Sequence, residues 1–343
     1  MAVPANVTKQ ADYSVTAREL EFVTQFKRNW DALQKLMGIM KPIRKTLGTR
    51  LISYKASVAL QSGDVAEGDE IPYSKATVEE VAYKDVTHKK WCKGVTLESV
   101  TKWGANIAIR KTDEELRNEI TNYILTNFYT FLNTGALVGA ATTWQAQLAT
   151  AKALVLDKFN RLRRTVTEVV GFANILDAYA YLGEQSITVQ TMFGVSYVEN
   201  FLGYKTLFLL SSPDIARGKV IACPVNNIDL YYVDPSDAEI RALGLNYTVA
   251  GETNLVGFAT EGVLKRATGD VYALTAMTLW AEYLNGIAVV DLGTESFTAV
   301  SSPSGNPSTS NYFEQDGDAY VKSADTAVVT GKTYYTRTLT QGA

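Results

Sequence analysis

The sequence has few of the residues on which most enzymes and metal sites depend. Its 343 residues include one histidine, His88, and two cysteines, Cys92 and Cys223. A zinc site takes three or four His, Cys or carboxylate ligands, and a Ser-His-Asp or Cys-His catalytic pair would have to use His88. His88 lies in the alternating charged stretch KDVTHKKW, which is typical of a solvated strand. We therefore predict no catalytic residue, no metal site and no cofactor. We expect both cysteines to be free thiols that are buried or half-buried.

Longer signals are also missing. The sequence has neither a GxxxxGK[ST] phosphate loop nor a GxGxxG turn after a strand. No run reaches about 18 uninterrupted apolar residues, as a membrane span requires, and the opening MAVPANVTKQADYSV lacks the order of a secretory signal. The 33 basic and 36 acidic residues give a net charge of −3, which predicts no strong general attraction to nucleic acid or membranes. These absences predict a non-enzymatic protein that stays in a cytosol.

The chain does contain enough apolar material for about two domains, with 46% hydrophobic and 20% charged residues. It opens on a basic segment, since residues 1–50 carry nine Lys or Arg against four acids. Apolar residues recur from Leu20 to Leu36 at helical spacing, which predicts a helix that Gly38 and Pro42 end. Such a segment is either a surface helix on its own subunit, or an arm that packs on a neighbour or faces enclosed nucleic acid.

The next segment predicts two long strands joined by an acidic turn. Residues 51–62 have the pattern of the first strand and residues 77–97 that of the second. Neither face of the second strand is uniformly apolar, so it lacks a core to cover it. A two-stranded arm is marginally stable in isolation, and we therefore expect this one to lie on another molecule. The acids of the turn are Asp64, Glu67, Asp69 and Glu70.

Residues 112–132 predict the clearest helix of the chain. Thr112 and Glu115 have the spacing of a capping box, and residues 133–135, Asn-Thr-Gly, end the pattern. At about 1.5 Å per residue the helix would span roughly 30 Å, which suits a rigid spine.

From about residue 136 the pattern changes to short alternating helices and strands, with Thr143 as a predicted helix cap and a basic cluster after that helix. Residues 301–311, SSPSGNPSTSN, have the composition of a flexible linker. Residues 312–343 predict a small β unit, which is too short to hold much of a core. We expect this C-terminal unit to dock on another surface or stay mobile.

The order of these elements resembles the tailed-bacteriophage major capsid protein family, whose fold is shared with encapsulin shells and the floor of herpesvirus capsids. The likeness lies in the stretches EGDEIPYSKATVEEVAYKDVTHKKWCKGVTLESV, TDEELRNEITNYILTNFYTFLNTG, FANILDAYAYLG and IDLYYVDP. It covers roughly residues 15–295 and depends on the order of elements, because shell proteins have no catalytic motif.

The resemblance implies an α+β fold divided in a particular way. Its expected parts are an N-terminal arm and helix (1–50), an extended two-stranded loop (51–97), a peripheral domain with the spine helix (98–140 and 251–300) and an α/β axial domain (141–250), followed by the linker (301–311) and the small C-terminal β extension (312–343).

The resemblance also implies a function and its partners. The chain would assemble with itself, as hexamers and pentamers, into an icosahedral shell enclosing double-stranded DNA, with a portal and a separate scaffolding protein. The virion shell would be built in the cytoplasm of a bacterial host. Contact with DNA would be weak and non-specific, through phosphates alone. Nothing in the sequence predicts covalent cross-links between subunits.

The charges suggest where subunits would meet. We expect the acidic turn to face a basic patch on a neighbouring subunit, with Arg161, Arg163 and Arg164 as the candidate. Because exposed ion pairs contribute only about 0–1 kcal/mol each, they would set register more than strength. We expect the C-terminal unit to lie on the outer surface, so that truncation at about residue 300 leaves shell formation intact.

Three alternatives remain open from the sequence. The chain is another phage structural protein, such as a tail-tube or adhesin subunit, or an encapsulin-like compartment shell, or an enzyme on an α/β scaffold. Particle shape would separate tubes from closed shells, and enclosed protein cargo in place of DNA would indicate an encapsulin.

Overall fold

The computed structural model describes residues 40–48, 50–59, 61, 64–65, 70–71, 73–183, 190–192, 195–250, 254–281 and 283–340. The helix predicted between Leu20 and Leu36 lies outside these residues, as do two acids of the turn, Glu67 and Asp69. No described helix is long and apolar enough to cross a membrane.

The helices are α1 (Leu97–Trp103), a π-helix (Asn106–Lys111), α2 (Thr112–Leu132), α3 (Trp144–Arg161), α4 (Ile175–Leu182) and α5 (Ala238–Ala242), with 3₁₀ turns at Leu264–Arg266 and Leu284–Gly286. The strands are β1 (Met40–Lys45), β2 (Arg50–Ala59), β3 (Lys75–Asp85), β4 (Thr87–Thr96), β5 (Leu137–Ala141), β6 (Val169–Asn174), β7 (Gln190–Met192), β8 (Val195–Glu199), β9 (Thr206–Leu210), β10 (Lys219–Pro224), β11 (Ile228–Val233), β12 (Thr248–Ala250), β13 (Val256–Val263), β14 (Thr268–Ala281), β15 (Ala288–Leu292), β16 (Thr294–Ala299), β17 (Phe313–Asp316), β18 (Ala319–Lys322) and β19 (Tyr335–Thr340). The predicted mixed α+β class is confirmed.

The chain forms two compact units. The larger unit contains Val95–Leu230 and Leu279–Ala343, and the smaller contains Ile43–Gly94 and Tyr231–Thr278. Among the described strands, the larger unit has an eleven-stranded sheet in the order β16-β19-β17-β18-β5-β15-β10-β6-β9-β8-β7. Most neighbours in it are antiparallel, but β5–β15 and β6–β9 are parallel pairs. The strands of this mixed sheet and the helices between them in the chain form the α/β pattern that the sequence predicted after residue 136.

Helix α3 covers one face of this sheet. Thr143 caps it as predicted, because its side chain accepts a hydrogen bond from the Ala146 amide at 3.2 Å. Leu148, Ala151 and Val155 are completely buried at helical spacing and belong to the main core cluster. Full burial of a Leu or Val side chain contributes roughly 1.5–3 kcal/mol. The apolar stripe therefore fixes which side of α3 meets the sheet.

Helix α2 has the bounds predicted for the spine. Ile120, Ile124, Phe128 and Leu132 are buried at steps of four residues, so one stripe of the helix packs inward. The predicted capping box is wrong, because α2 continues directly from the π-helix and its first turn has no side-chain cap. Thr112 instead donates its hydroxyl to the Ala108 carbonyl at 2.7 Å, one turn back.

The smaller unit has its own sheet and core. Its described strands form the order β1-β11-β14-β13-β12, with β4 also paired to β14, and β2 and β3 form a separate pair. The predicted second strand is thus two strands with different partners, divided at Val86. Val86 packs against the core cluster of this unit, which contains Val233, Leu274 and Ala276.

The boundaries of the units differ from the expected division. Helix α2 was expected in one domain with residues 251–300, but it belongs to the larger unit, whereas β13, which lies within 251–300, belongs to the smaller. The reason is topological, because β15 returns to the large sheet beside β5 and β10 while β13 pairs along its length with β14.

The C-terminal strands are the largest difference from expectation. β18 pairs with β5, and β19 lies between β16 and β17, so all three strands continue the main sheet. Arg337 of β19 is only 13% exposed and donates to Asp291 at 2.7 Å, to Glu295 at 2.8 Å and to the Gly139 carbonyl at 2.9 Å. Residues 312–343 are therefore part of the larger unit and not a separate extension.

The segment expected to be a flexible linker is held by hydrogen bonds. The Ser308 amide donates to the Asp325 carbonyl at 3.0 Å and its hydroxyl to Asn306 Oδ1 at 2.7 Å, while Pro307 is buried. Ser, Asn, Pro and Gly favour tight turns as well as linkers, so composition did not distinguish the two.

The two cysteines differ in environment. Cys223 is buried in β10, where burial raises the pKa of its thiol far above the usual value. Cys92 is exposed on β4, so the expectation that both thiols are at least half-buried is wrong for Cys92. His88 is exposed on the same strand, as its solvated pattern predicted.

Candidate assembly surfaces

The β2–β3 hairpin forms a ladder with no other described strand. Its register runs from Arg50 opposite Asp85 to Ala59 opposite Lys75, with a shift at Ser53 and Tyr54. Ten or eleven residues of strand span roughly 33–37 Å at about 3.3 Å per residue. The pair is thus long for a two-stranded ribbon, a form that is marginal in water without a further surface to pack on.

The foot of the hairpin is anchored in the smaller unit. Leu51 is buried, and the Thr278 hydroxyl of β14 donates to the Asp85 carbonyl at 3.0 Å. Val86, the residue after β3, enters the core cluster of the unit. These contacts hold one end of the hairpin in place.

The opposite end of the hairpin exposes apolar side chains. Val58, Ile71, Tyr73 and Val78 are between 57% and 91% exposed. The register places Val58 opposite Ala76, so Val58 and Val78 are diagonal neighbours on one face. Clusters of exposed apolar side chains are typical of interaction sites, whereas single ones are common on any surface.

The acidic turn lies at the same end. Asp64 and Glu70 are exposed there, next to Ile71. A hydrogen bond crosses this turn, in which the Gln61 backbone amide donates to the Ser74 hydroxyl at 3.2 Å. The end of the hairpin therefore combines apolar side chains with negative charge. We call it the hairpin end, defined by the described residues Val58, Asp64, Glu70, Ile71, Tyr73 and Val78.

The predicted basic patch is partly used inside the subunit. Arg161 donates to Asp157 at 2.8 Å and to Asp316 at 2.7 Å, and Lys158 also pairs with Asp316. Burial alone would raise the pKa of Asp316, but the hydrogen bonds and charges of Lys158 and Arg161 outweigh it and lower the pKa. Gly317 completes the turn at φ 67°, where a Cβ would lie 2.5 Å from the Arg161 guanidinium.

The other two arginines of the patch end helix α3. Arg163 takes the left-handed conformation at φ 54° and is exposed. Arg164 lies over the Tyr283 ring, with its guanidinium carbon 4.8 Å from the ring centroid. The structure brings the three arginines to one helix end, but Arg161 and Arg164 have partners within the larger unit.

A second exposed apolar group was missed from the sequence. Leu97, Trp103 and Ile107 lie along α1 and the π-helix, and each is more than half exposed. Helix α1 has no buried residue. The signal was present in the sequence as an apolar pattern, but periodicity gives the face of a helix and not whether anything covers it.

The described residues contain no group of three or more His, Cys, Asp or Glu that could hold a metal ion. Two exposed apolar groups of the described residues, at the hairpin end and along α1 and the π-helix, suit contact with a macromolecule.

No protein-family model matches the chain, and neither does any curated protein. Solved structures of shell proteins are similar to it in fold. The mature capsid of bacteriophage PhiM1 matches at 9% identity with a TM-score of 0.47, covering 74% of this chain and 86% of that one. A holo-encapsulin complex from Synechococcus elongatus matches at 13% identity with a TM-score of 0.46, covering 84% and 92%. A structure of Mycobacterium phage Patience matches at 11% identity with a TM-score of 0.47, covering 84% and 94%.

The PhiM1 and Synechococcus elongatus neighbours are a capsid and an encapsulin, the classes of shell that the resemblance in the sequence implied. At such identities and TM-scores the likeness carries no function by itself. The function proposed below therefore depends on the strands and surfaces of this chain.

Proposed function

We propose that the chain is the major capsid protein of a tailed bacteriophage, which assembles with itself through hexamers and pentamers into an icosahedral shell around double-stranded DNA. The role is structural, with no reaction catalysed. The observation that carries the proposal is the β2–β3 hairpin, which pairs with no other described strand and exposes apolar side chains at its end.

The physical argument starts from the cost of an uncovered hairpin. A ribbon with one anchored end and an exposed apolar end gains stability when a second molecule covers that end. A contact in which the hairpin of one copy meets a different surface of the next is heterologous, and heterologous contacts close into rings when the rotation allows. In such a ring each subunit places its hairpin on one neighbour and is contacted by the hairpin of the other neighbour. Many weak contacts therefore hold the assembly together.

The acids of the turn belong to the same proposal. Asp64, Glu67, Asp69 and Glu70 would contact a basic surface on a neighbour and set the register of the hairpin. Arg163 and Arg164 remain candidates for that surface, whereas Arg161 is engaged by Asp157 and Asp316.

The remaining partners follow from the role of a phage shell. A separate scaffolding protein and a portal would direct assembly in the host cytoplasm. Packaged DNA would be contacted weakly and without sequence preference, through its phosphates.

The first test is to express the full chain, alone and together with any scaffold gene from the same cluster, and to image it by negative-stain electron microscopy. We expect closed round or polyhedral particles. A matched variant that replaces residues 52–83 by a short glycine-serine turn should keep a cooperative thermal transition but form no particles.

Two results would contradict the proposal. Tubes or fibres from the full chain would favour a tail or adhesin subunit, and a chain that stays monomeric even with scaffold would not be a shell protein. Particles that enclose protein cargo and no nucleic acid would assign the shell to an encapsulin-like compartment instead.

A further inference from the structure

The strands at the ends of the two larger described sheets differ in how they are protected against further pairing. These end strands are β1 and β12 in one sheet, and β7 and β16 in the other. Strands β7 and β12 are three residues long, and β1 contains Pro42 and three basic residues. Short length, proline and basic side chains are features that stop an edge strand from pairing with another molecule. Strand β16 has none of the three.

Strand β16 is held in an extended form by the rest of its sheet. Its six residues, TESFTA, pair along their whole length with β19. Its one charged side chain, Glu295, accepts from Arg337 of β19 at 2.8 Å, so its charge is already neutralised. The Phe297 ring stacks on Tyr320, with ring centroids 3.7 Å apart. A second strand therefore pairs with β16 at little cost in conformational entropy.

The backbone groups of alternate residues in β16 face the free edge. The Val300 amide donates to the Tyr334 carbonyl at 2.8 Å, and the register with β19 is continuous. Because an antiparallel ladder bonds every second residue, the even-numbered residues bond β19 and the odd-numbered ones direct their amides and carbonyls away from it. Within the described chain, the backbones of Glu295, Phe297 and Ala299 form no hydrogen bond.

The solvent-facing side of β16 and β19 carries hydroxyl groups and no charge. The exposed residues Thr294, Ser296 and Thr298 of β16 lie opposite Thr340, Thr338 and Thr336 of β19. Like charges that lie opposite each other destabilise a pair of strands. The uncharged face removes this obstacle when the approaching strand is a copy of the same strand.

We propose that β16 of one copy pairs with β16 of a second copy, antiparallel and related by a two-fold axis at Phe297. In this register all three outward residues of each strand are paired, Phe297 with its counterpart and Glu295 with Ala299. A register centred on Ser296 leaves Ala299 beyond the end of the opposite strand, and one centred on Glu295 brings two carboxylates together. The proposed contact is self-complementary, as a two-fold contact must be.

This contact goes beyond the proposed function and does not require it. The hairpin contact proposed above joins different surfaces of two copies, whereas the β16 contact joins the same strand of both. It continues the eleven-stranded sheet of one copy into that of the next. Two free copies form it in the same way as two copies in a shell, so its test does not depend on particles.

Engineered cysteines test the contact and its register in the full chain. Ser296 lies opposite Thr298 of the second copy at a Cα separation of about 4.5 Å, which a disulfide can span. We would co-express S296C and T298C chains, one of them tagged, in a C92S background that removes the exposed native thiol. After mild oxidation we expect a dimer of one tagged and one untagged chain on a non-reducing gel, identified by its intact mass.

Two controls define what a positive result means. In either chain alone the new thiols would be diagonal neighbours about 7–8 Å apart, so we expect at least fivefold less dimer. Co-expressed T336C and T338C chains carry exposed thiols on the same face but on β19. These lie three strand spacings, about 14 Å, from those of the second copy, and we expect no dimer from them.

A further variant tests the backbone hydrogen bonds. Ala299→Pro removes an amide that faces the free edge and leaves the bonds to β19 in place. Added to both cysteine chains, it should lower the yield of dimer about tenfold, because each copy loses one hydrogen bond. A thermal unfolding midpoint within a few degrees of the parent would show that the variant folds.

Four outcomes would overturn the proposal. Equal dimer from the β19 control would indicate random collision of exposed thiols, and dimer from S296C chains alone would indicate another register. An undiminished yield with A299P would show that the edge amides form no contact. Particles without cross-linked dimer would reject this contact and leave the proposed function standing. Cross-linked dimer without particles would instead support this contact and reject the proposed function.

Discussion

The hairpin of β2 and β3 and the C-terminal strands β17–β19 are two β segments with opposite relations to the other described strands of the chain. Both were expected to be appended to the main body. The C-terminal strands instead continue an eleven-stranded sheet among the described residues, while the hairpin pairs only with itself. The difference shows that a β segment joins a larger sheet only when it supplies partners for the hydrogen-bonding and charged groups that the sheet would otherwise leave unpaired.

The partners are visible in the side chains. β19 brings Arg337 to Asp291 and Glu295, and Phe297 of β16 stacks on Tyr320 of β18 with centroids 3.7 Å apart. Tyr334, just before β19, is completely buried. At the end of the hairpin, by contrast, the described apolar side chains Val58, Tyr73 and Val78 are exposed. We infer that the C-terminal strands stabilise the fold of the subunit, whereas the hairpin serves contact between subunits.

The largest effect on folding is expected from removing residues 301–343. The structure replaces the earlier expectation, that such a truncation still forms shells, by the opposite one. Loss of β17–β19 would expose β5 and leave Asp291 and Glu295 without their guanidinium. We expect insoluble protein or no cooperative unfolding transition, measured by circular dichroism on heating. A soluble truncation that melts within a few degrees of the full chain would show that the strands are separable after all.

The next largest effect is expected from Arg337→Met. The substitution keeps much of the side-chain volume but leaves two largely buried carboxylates without a positive partner. Breaking a buried ion pair in this way typically costs about 3–5 kcal/mol of unfolding free energy, which urea titration would measure. Arg217→Met is the matched control, because Arg217 pairs with Asp177 at 3.0 Å but is 63% exposed, and about 0–1 kcal/mol is expected there. Equal losses in the two variants would contradict a special role for β19.

A smaller effect on the unfolding free energy is expected from a change of pH, through Asp316 at the turn between β17 and β18. The pKa of Asp316 is lowered in the folded chain, so its carboxylate adds stability above the usual Asp pKa of 3.8, and this stability is lost as pH falls below that value. We expect Asp316→Asn to reduce the unfolding free energy at pH 7 and to flatten its decline between about pH 5 and pH 3. A decline as steep as that of the parent would assign the acid sensitivity to other carboxylates. Asp325, whose pKa is lowered by Lys332 and Tyr334 despite burial, is the first of these to test.

The smallest effect on stability is expected at the hairpin end. Tyr73 is 91% exposed, so Tyr73→Ser should change the unfolding free energy by no more than about 0.5 kcal/mol. Particle yield, measured by sedimentation, should fall nonetheless, because the side chain acts only when a second molecule covers it. A large loss of stability with unchanged assembly would reverse the roles assigned to the two segments.

The sequence predicted most of the elements correctly. The bounds of α2 agree with those of the predicted spine helix, and Thr143 caps α3 as expected. These features depend on neighbours within a few positions, namely the spacing of apolar residues and the groups that cap a helix end, and such information is local in the chain.

Contacts between distant residues were not predictable in the same way. The capping box failed because a π-helix precedes α2 and supplies its first turn, and the linker of residues 301–311 is ordered by bonds to Asp325 and Asn306. The pairing of Val58 with Val78 at the hairpin end was missed because alternation along one strand does not give its register with the other.

The sequence by itself thus determined α2, the start of α3, most of the strands and the acidic composition of the turn. Only the tertiary structure decided which strands share a sheet, that Arg161 and Arg337 are used within the larger unit, and that individual apolar side chains at the hairpin end and on α1 are exposed. The physical reason is that periodicity specifies which face of an element is apolar, whereas the partner of that face is set by the packing of residues far apart in the chain.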